Sequence, residues 1–381
     1  MNSSKAAAAV LISLGGAMST PALAAKYTVV DLGVLPPGYG SHASAINNLG
    51  QSVGWSEVAT GESATLYQAG GVTDLGTRLG NPSLSHATGI NDSGWVVGGF
   101  GNGVDGSRGF ITNATTGVTT ILGTLAGGTS SHAQGINNAG LVVGYGSTAT
   151  GLSHAFSYKG GTMKDLGTLA GGSFSAATAV NNHGRIVGVA DNASGARRAV
   201  VYQAGAFKDL GTFAGGGDSA ANAINDGGWI VGSAVDSTGF NKAFLYHGGS
   251  MMNLGALTGG SFSGALSINN KGDVVGTSDT GRGAHAFLYS KGSMLDLNAQ
   301  LTPMDAADWV LNEATDINNL GQIVGRGRLM GDTHAFLLTP LEMATSAAMP
   351  AVPEPEQWAL VLTGLMVVGA LARRQRRVAS R

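Results

Sequence analysis

One phrase decides the fold: Ala177-Thr178-Ala179-Val180-Asn181-Asn182-His183-Gly184-Arg185-Ile186-Val187-Gly188. Small and apolar residues run into an Asn-Asn-x-Gly turn, and a β-branched run returns to Val-Gly. This is a hairpin, because Asn and Gly tolerate the positive φ that a tight turn needs. The polar stretch 191–195 turns the chain again. Residues 199–202 read as a third strand, Ala204-Gly205 as a further turn, and residues 207–210 as a fourth strand.

The same phrase returns at Ile46-Asn47-Asn48, Ile90-Asn91-Asp92, Ile136-Asn137-Asn138, Ile224-Asn225-Asp226, Ile268-Asn269-Asn270 and Ile317-Asn318-Asn319. With the copy at Val180, the spacings are 44, 46, 44, 44, 44 and 49 residues. A second phrase keeps the same beat, as in Asp31-Leu32-Gly33, Asp74-Leu75-Gly76, Asp165-Leu166-Gly167, Asp209-Leu210-Gly211 and Asp296-Leu297-Asn298. Four antiparallel strands in about 44 residues match one blade of a β-propeller, whose period is about 40–45. Leucine-rich repeats and β-helices use shorter units. The last unit lacks a fourth strand, while the chain opens on a lone one, Tyr27-Thr28-Val29-Val30-Asp31. The expected fold is therefore all-β, a seven-bladed β-propeller closed by the N-terminal strand, which leaves no open sheet edge.

The two ends read as processing segments. Lys5, the apolar run 6–17 and the small residues Ala22 and Ala24 predict a signal peptide over 1–25. Repeats fill 26–340, a linker follows at 341–352, and the tail occupies 353–381. That tail opens on Val352-Pro353-Glu354-Pro355. An apolar segment follows, with Trp358, Leu360, Leu362, Leu365, Val367 and Leu371, and then Arg373, Arg374, Arg376 and Arg377. Tryptophan at one border and arginines at the other suit a transmembrane helix with a cytoplasmic basic end.

Composition narrows the function. Of the 381 residues 63 are glycine, 12% are charged and none is cysteine, so no disulfide or zinc–thiolate framework is possible. The two ends hold six of the 21 basic residues and two of the 23 acidic ones, which leaves the body near −6. An acidic body argues against nucleic acid. No P-loop, dinucleotide fingerprint or nucleophile elbow is present, and the Gly98–Gly103 run lies in a strand–turn context.

The phrases His-Ala-Phe (His154-Ala155-Phe156, His285-Ala286-Phe287, His334-Ala335-Phe336), Asp-Leu-Gly-Thr-Leu-x-Gly-Gly and Ile-Asn-Asn-x-Gly-x-x-Val-Gly resemble the HAF-repeat extracellular proteins, over residues 27 to 338. Three units depart from the first phrase, at Ser63-Ala64-Thr65, Arg108-Gly109-Phe110 and Arg198-Ala199-Val200. The tail resembles a PEP-CTERM sorting signal. These resemblances imply Sec export in a Gram-negative bacterium, a transient inner-membrane stage, processing by an exosortase, and residence at the cell surface or in the matrix.

The recurring aspartates read as turn caps rather than a cation ring. His42, His86 and His132 share one offset, which raises a metal site. The other four units place Ala176, Ala220, Gly264 and Glu313 there, so neither metal nor cofactor is expected. Trp55, Trp95 and Trp229 read as core filler. The longest crossover, 298–313, holds the ligand-site candidates Asp305, Asp308, Trp309 and Glu313, acids beside a ring that could stack on a sugar. The expected function is a non-enzymatic binding or adhesion module of exopolysaccharide or biofilm. A structural matrix component comes next, and an extracellular glycan-acting hydrolase or lyase last. The expected partners are the exosortase, exopolysaccharide or other surface proteins, with the membrane met only through the tail.

Overall fold

The computed structural model describes residues 26–69, 71–101 and 106–341. The signal-peptide site at Ala22 and Ala24, the linker beyond residue 341 and the whole tail lie outside the described residues. Among those described, no helix is long and apolar enough to cross a membrane.

The chain is all-β and folds into antiparallel four-stranded sheets. The phrase quoted first forms Ser175–Val180 and Ile186–Asp191, completed by Arg197–Gln203 and Ala206–Asp209. Its turn is the tight one expected: Gly184 sits at φ 76°, and its N–H donates to the Asn181 carbonyl at 3.0 Å. The first two units share one sheet only through a single parallel bridge between Glu62 and Leu84. The opening strand Tyr27–Asp31 does not pair with the strands that follow it. It lies along Asp332–Pro340, with Tyr27 opposite Pro340 and Asp31 opposite Phe336.

The first strand of each unit is less regular than its sequence suggests. Between Ala177 and Ala179 the register slips by one residue, so Thr178 is a bulge. The same slip recurs at Ser44, Thr88, Gln134, Asn222, Leu266 and Thr315. A bulge bends its strand and re-aims the extra side chain. Here it aims at the next unit: Thr178 Oγ1 donates to the Ala221 carbonyl at 2.9 Å, and Thr315 Oγ1 to the Ala43 carbonyl at 2.6 Å. The bend also explains the recurring Val-Gly. A Cβ on Gly188 would lie 2.0 Å from the Ala176 carbonyl oxygen, so only glycine fits.

Apolar clusters lie between consecutive units. One joins Val187, Ala199 and Val201 to Ile224, Ile230 and Phe244. Another joins Ala43, Ile46 and Tyr67, near the start of the chain, to Val324 and Ala335 near its end. The phenylalanines of the His-Ala-Phe phrase, Phe156, Phe287 and Phe336, and Phe244 in Lys242-Ala243-Phe244 at the same place in another unit, are completely buried in these seams, each contributing on the order of 2–3 kcal/mol by burial.

Asparagines stitch the seams at one end. Asn181 Oδ1 accepts the N–H groups of His183 and Arg185, and its Nδ2 donates to the Asn225 carbonyl at 3.0 Å. Equivalent bonds run from Asn47 to Asn91, to Asn137, to Asn181, and from Asn225 to Asn269 and on to Asn318. Asn318 returns to Asn47 at 3.1 Å. A second circuit lies beside it, in which each backbone N–H of the following Asn or Asp meets the side chain of the next, from Asn48 to Asp92 and finally from Asn319 to Asn48. The Asn-Asn-x-Gly phrase is thus at once a turn and a seam.

Candidate functional site

The first strands of the units together line a polar cavity of about 280 Å³. At one end it meets the asparagine circuits, around a polar cavity of about 170 Å³. Burial raises the pKa of Asp92, but bonds from the Asn48 backbone and side chain and from Asn138 outweigh it and hold the carboxyl below its ordinary value. In the cavity lined by the first strands Asp316 accepts from Ser267 Oγ at 2.5 Å, the Ile46 N–H at 2.8 Å and the Ile317 N–H at 2.9 Å. Burial pushes its carboxyl up to about 6.

The other end breaks the repeat. There each first strand pairs one residue with the residue after Val-Gly on its second strand. These pairs are His42 with Trp55, His86 with Gly99, His132 with Tyr145, Ala176 with Val189, Ala220 with Ser233, Gly264 with Thr277, and Glu313 with Arg326. Three consecutive units therefore carry histidines on this rim, three carry small residues, and one carries an ion pair, with Arg326 Nε 2.7 Å from Glu313 Oε2.

The histidine sector is layered. The Trp55 indole lies between His42 at 5.7 Å and His86 at 5.5 Å, stacked on both. His86 Nε2 is 2.5 Å from Glu62 Oε2. His132 stacks on Tyr145 at 5.2 Å, and its Nε2 is hydrogen-bonded to Ser107 Oγ. By the same pattern His132 overlies Gly99, where a Cβ would sit 2.6 Å from its Nδ1. The missing side chain at Gly99 admits the imidazole and leaves a cavity of about 470 Å³. Its walls include His86, Phe100, Ser107, His132 and Tyr145.

Electrostatics keep two of these rings neutral. Burial, with Arg326 and His86 nearby, pushes His42 down to about 4. Burial, then His86, lowers His132 below its ordinary value. Both are therefore uncharged near neutral pH.

The rim changes several expectations. The three histidines do share a face, yet an indole separates His42 from His86. Among the described residues no group of His, Asp and Glu could hold a metal ion. Trp55 is not core filler; it is the centre of the stack. Of the crossover candidates only Glu313 reaches the rim. Asp305 and Asp308 sit on the short helix Asp305–Asp308. Trp309 cannot offer a face to a sugar, since it is 7% exposed and packs edge-on against Phe336 at 6.2 Å. Sequence reasoning missed Glu62, Gly99, Ser107 and Tyr145. The varied residue after each Val-Gly (Trp, Gly, Tyr, Val, Ser, Thr, Arg) was the available signal.

The chain matches no protein-family model and none of the curated proteins. Among solved structures it is similar to the β-propeller domain of the Trilobed protease from Pyrococcus furiosus, at 10% identity and a TM-score of 0.52, over 79% of this chain and 98% of that one. It is also similar to an acylaminoacyl peptidase from Pyrococcus horikoshii, at 10% identity and a TM-score of 0.48, over 79% of this chain and 52% of that one. A gluconolactonase from Xanthomonas campestris aligns at 12% identity and a TM-score of 0.41, over 84% and 93%. The first of these likenesses shows the β-propeller fold. The expectation of a non-enzymatic protein is corrected here: the propeller that matches best in shape among these three belongs to a protease. This architecture therefore gives no ground for excluding turnover.

Proposed function

We propose that this chain is a closed, seven-bladed β-propeller, exported by the Sec route and sorted to the cell surface or matrix, that engages extracellular carbohydrate at its histidine rim. The return bond from Asn318 to Asn47 and the seam joining Ala43 to Ala335 support closure. Export and exosortase processing rest on the sequence of residues 1–25 and 353–381 and on the resemblance of the tail to a sorting signal.

The carbohydrate reading is carried by one observation, the concentration of rings and polar groups in three adjacent units against small residues in the next three. Binding sites place a few polar groups within an apolar, concave wall. Phe100 and Tyr145 supply flat apolar surface for the C–H faces of a sugar, Trp55 holds the His86 ring from behind, and His86, Glu62 and Gln134 supply hydrogen-bonding groups beside it. Exopolysaccharide is the ligand class that such a wall and such a destination share.

Calorimetric titration of the mature chain with a panel of bacterial exopolysaccharide fragments tests this. Saturable binding that falls at least about tenfold in Tyr145→Ala and Gln134→Ala, with unfolding midpoints unchanged, is expected. Binding that survives both substitutions would place the ligand elsewhere. Deletion of residues 353–381 is expected to release a folded protein from the cell; unchanged surface retention would remove the sorting reading.

A further inference from the structure

Ser107 and His132 lie 25 positions apart, on different units, and meet only because the units pack side by side. Ser107 precedes the strand Arg108–Asn113, and His132 lies in Ser131–Ile136. The backbone ties the two segments as well: the Ser131 N–H donates to the Ser107 carbonyl at 3.0 Å, and Ser131 Oγ accepts the Gly109 N–H at 3.1 Å. The imidazole is held by its stack on Tyr145 and by the space above Gly99. Both residues line the 470 Å³ cavity, and so does His86, which carries the Glu62 carboxylate on its Nε2.

A serine hydroxyl is a poor nucleophile until a neutral base accepts its proton, and an adjacent imidazole is the usual means. We propose that Ser107 and His132 form a nucleophile–base pair that hydrolyses small carboxylic esters, with O-acyl groups on extracellular glycans as the substrate class. Ser107 Oγ bonds to the ester carbonyl carbon while its proton passes to His132 Nε2. The carbon–oxygen bond to the sugar then breaks, and the imidazolium returns the proton to the departing alkoxide. Water, its proton taken by the same nitrogen, bonds to the acyl–serine carbonyl carbon; the bond from that carbon to Ser107 Oγ breaks, the imidazolium returns the proton to Oγ, and the carboxylic acid is freed. The burial that lowers the pKa of His132 leaves the imidazole in its basic form near neutral pH.

The glycan half of this proposal rests on the carbohydrate reading; the dyad does not. The mature chain, Ser107→Ala and His132→Gln are each incubated with p-nitrophenyl acetate and with a fluorophosphonate probe, and the labelled peptide is identified by mass spectrometry. Labelling at Ser107, with hydrolysis reduced about 100-fold in either variant, is expected. No label on Ser107, or equal hydrolysis by the wild type and Ser107→Ala, overturns the dyad. Exopolysaccharide binding measured on the same samples separates the two readings. Retained binding without labelling sinks the dyad alone. Labelling without saccharide binding leaves the dyad standing and removes its glycan substrate.

Discussion

His334 Nδ1 lies 3.0 Å from Asp31 Oδ1, across 303 positions of sequence. His154 makes the same contact with Asp165 at 2.9 Å, and His285 with Asp296 at 2.7 Å, each across only 11 positions. The last unit thus completes with the opening strand a bond that other units make within themselves. The aspartate also caps its turn, accepting the Gly33 N–H at 2.9 Å. It is a structural residue in both roles.

That hydrogen bond is partly open to water, and the core beneath it is closed. Exposed pairs contribute up to about 1 kcal/mol, whereas Phe→Ala in a core costs about 3–5 kcal/mol. His334→Ala is therefore expected to shift the urea midpoint slightly and Phe336→Ala to shift it severely. Equal shifts would mean that the polar contact, and not the buried ring, holds the two chain ends together.

Asn318 should be among the most costly polar positions. Its side chain donates to the Asn47 carbonyl and to Gln322 Oε1, and accepts from the Leu320 and Gln322 N–H groups. Loss of several partly buried bonds, at about 1 kcal/mol each, predicts destabilisation of about 2–4 kcal/mol for Asn318→Ala by urea unfolding. Asn181→Ala should cost about the same. An Asn318→Ala protein as stable as wild type would show that the return bond carries no load.

Gly188→Ala is the smallest change with a large expected effect. The added methyl would meet the Ala176 carbonyl oxygen at 2.0 Å, well inside contact distance. The bulge must then shift, with an expected loss above about 2 kcal/mol in thermal or chemical unfolding. Gly195→Ala, in an open turn with nothing within 4 Å, meets only the strain of its φ of 79°, expected near 1 kcal/mol. Reversed costs would contradict the close approach.

The pH dependence of Asp316 has a definite sign. Its carboxyl titrates near 6 when folded and 3.8 otherwise, so the folded chain holds a proton the unfolded one has lost. That stabilisation is complete below about 4 and disappears as pH rises through 6. Asp316→Asn, which stays neutral, is expected to gain on wild type by about 2–3 kcal/mol between pH 4 and 7. The difference between the two proteins is the quantity to measure, because His42 and His132 shift downward and bend the wild-type curve the opposite way. A difference that is flat with pH would show that Asp316 is ionised at no cost.

The sequence by itself determined the repeating unit. Strand alternation, Asn-Asn-x-Gly turns and a 44-residue beat are local, and each is written within one stretch of chain. The lone strand at Tyr27 could be matched to a vacancy near Phe336 by counting alone, and the two pair. Only the tertiary structure decided what the units present to one another. The bulge at Thr178, the seating of His132 over Gly99 and the meeting of Ser107 with His132 depend on register between units, which no single repeat encodes. Trp55 and Trp309 show the same limit: one is stacked between histidines on the rim and the other is sealed against Phe336. Side-chain type selects what can pack, but the bend of each strand selects which neighbour it meets.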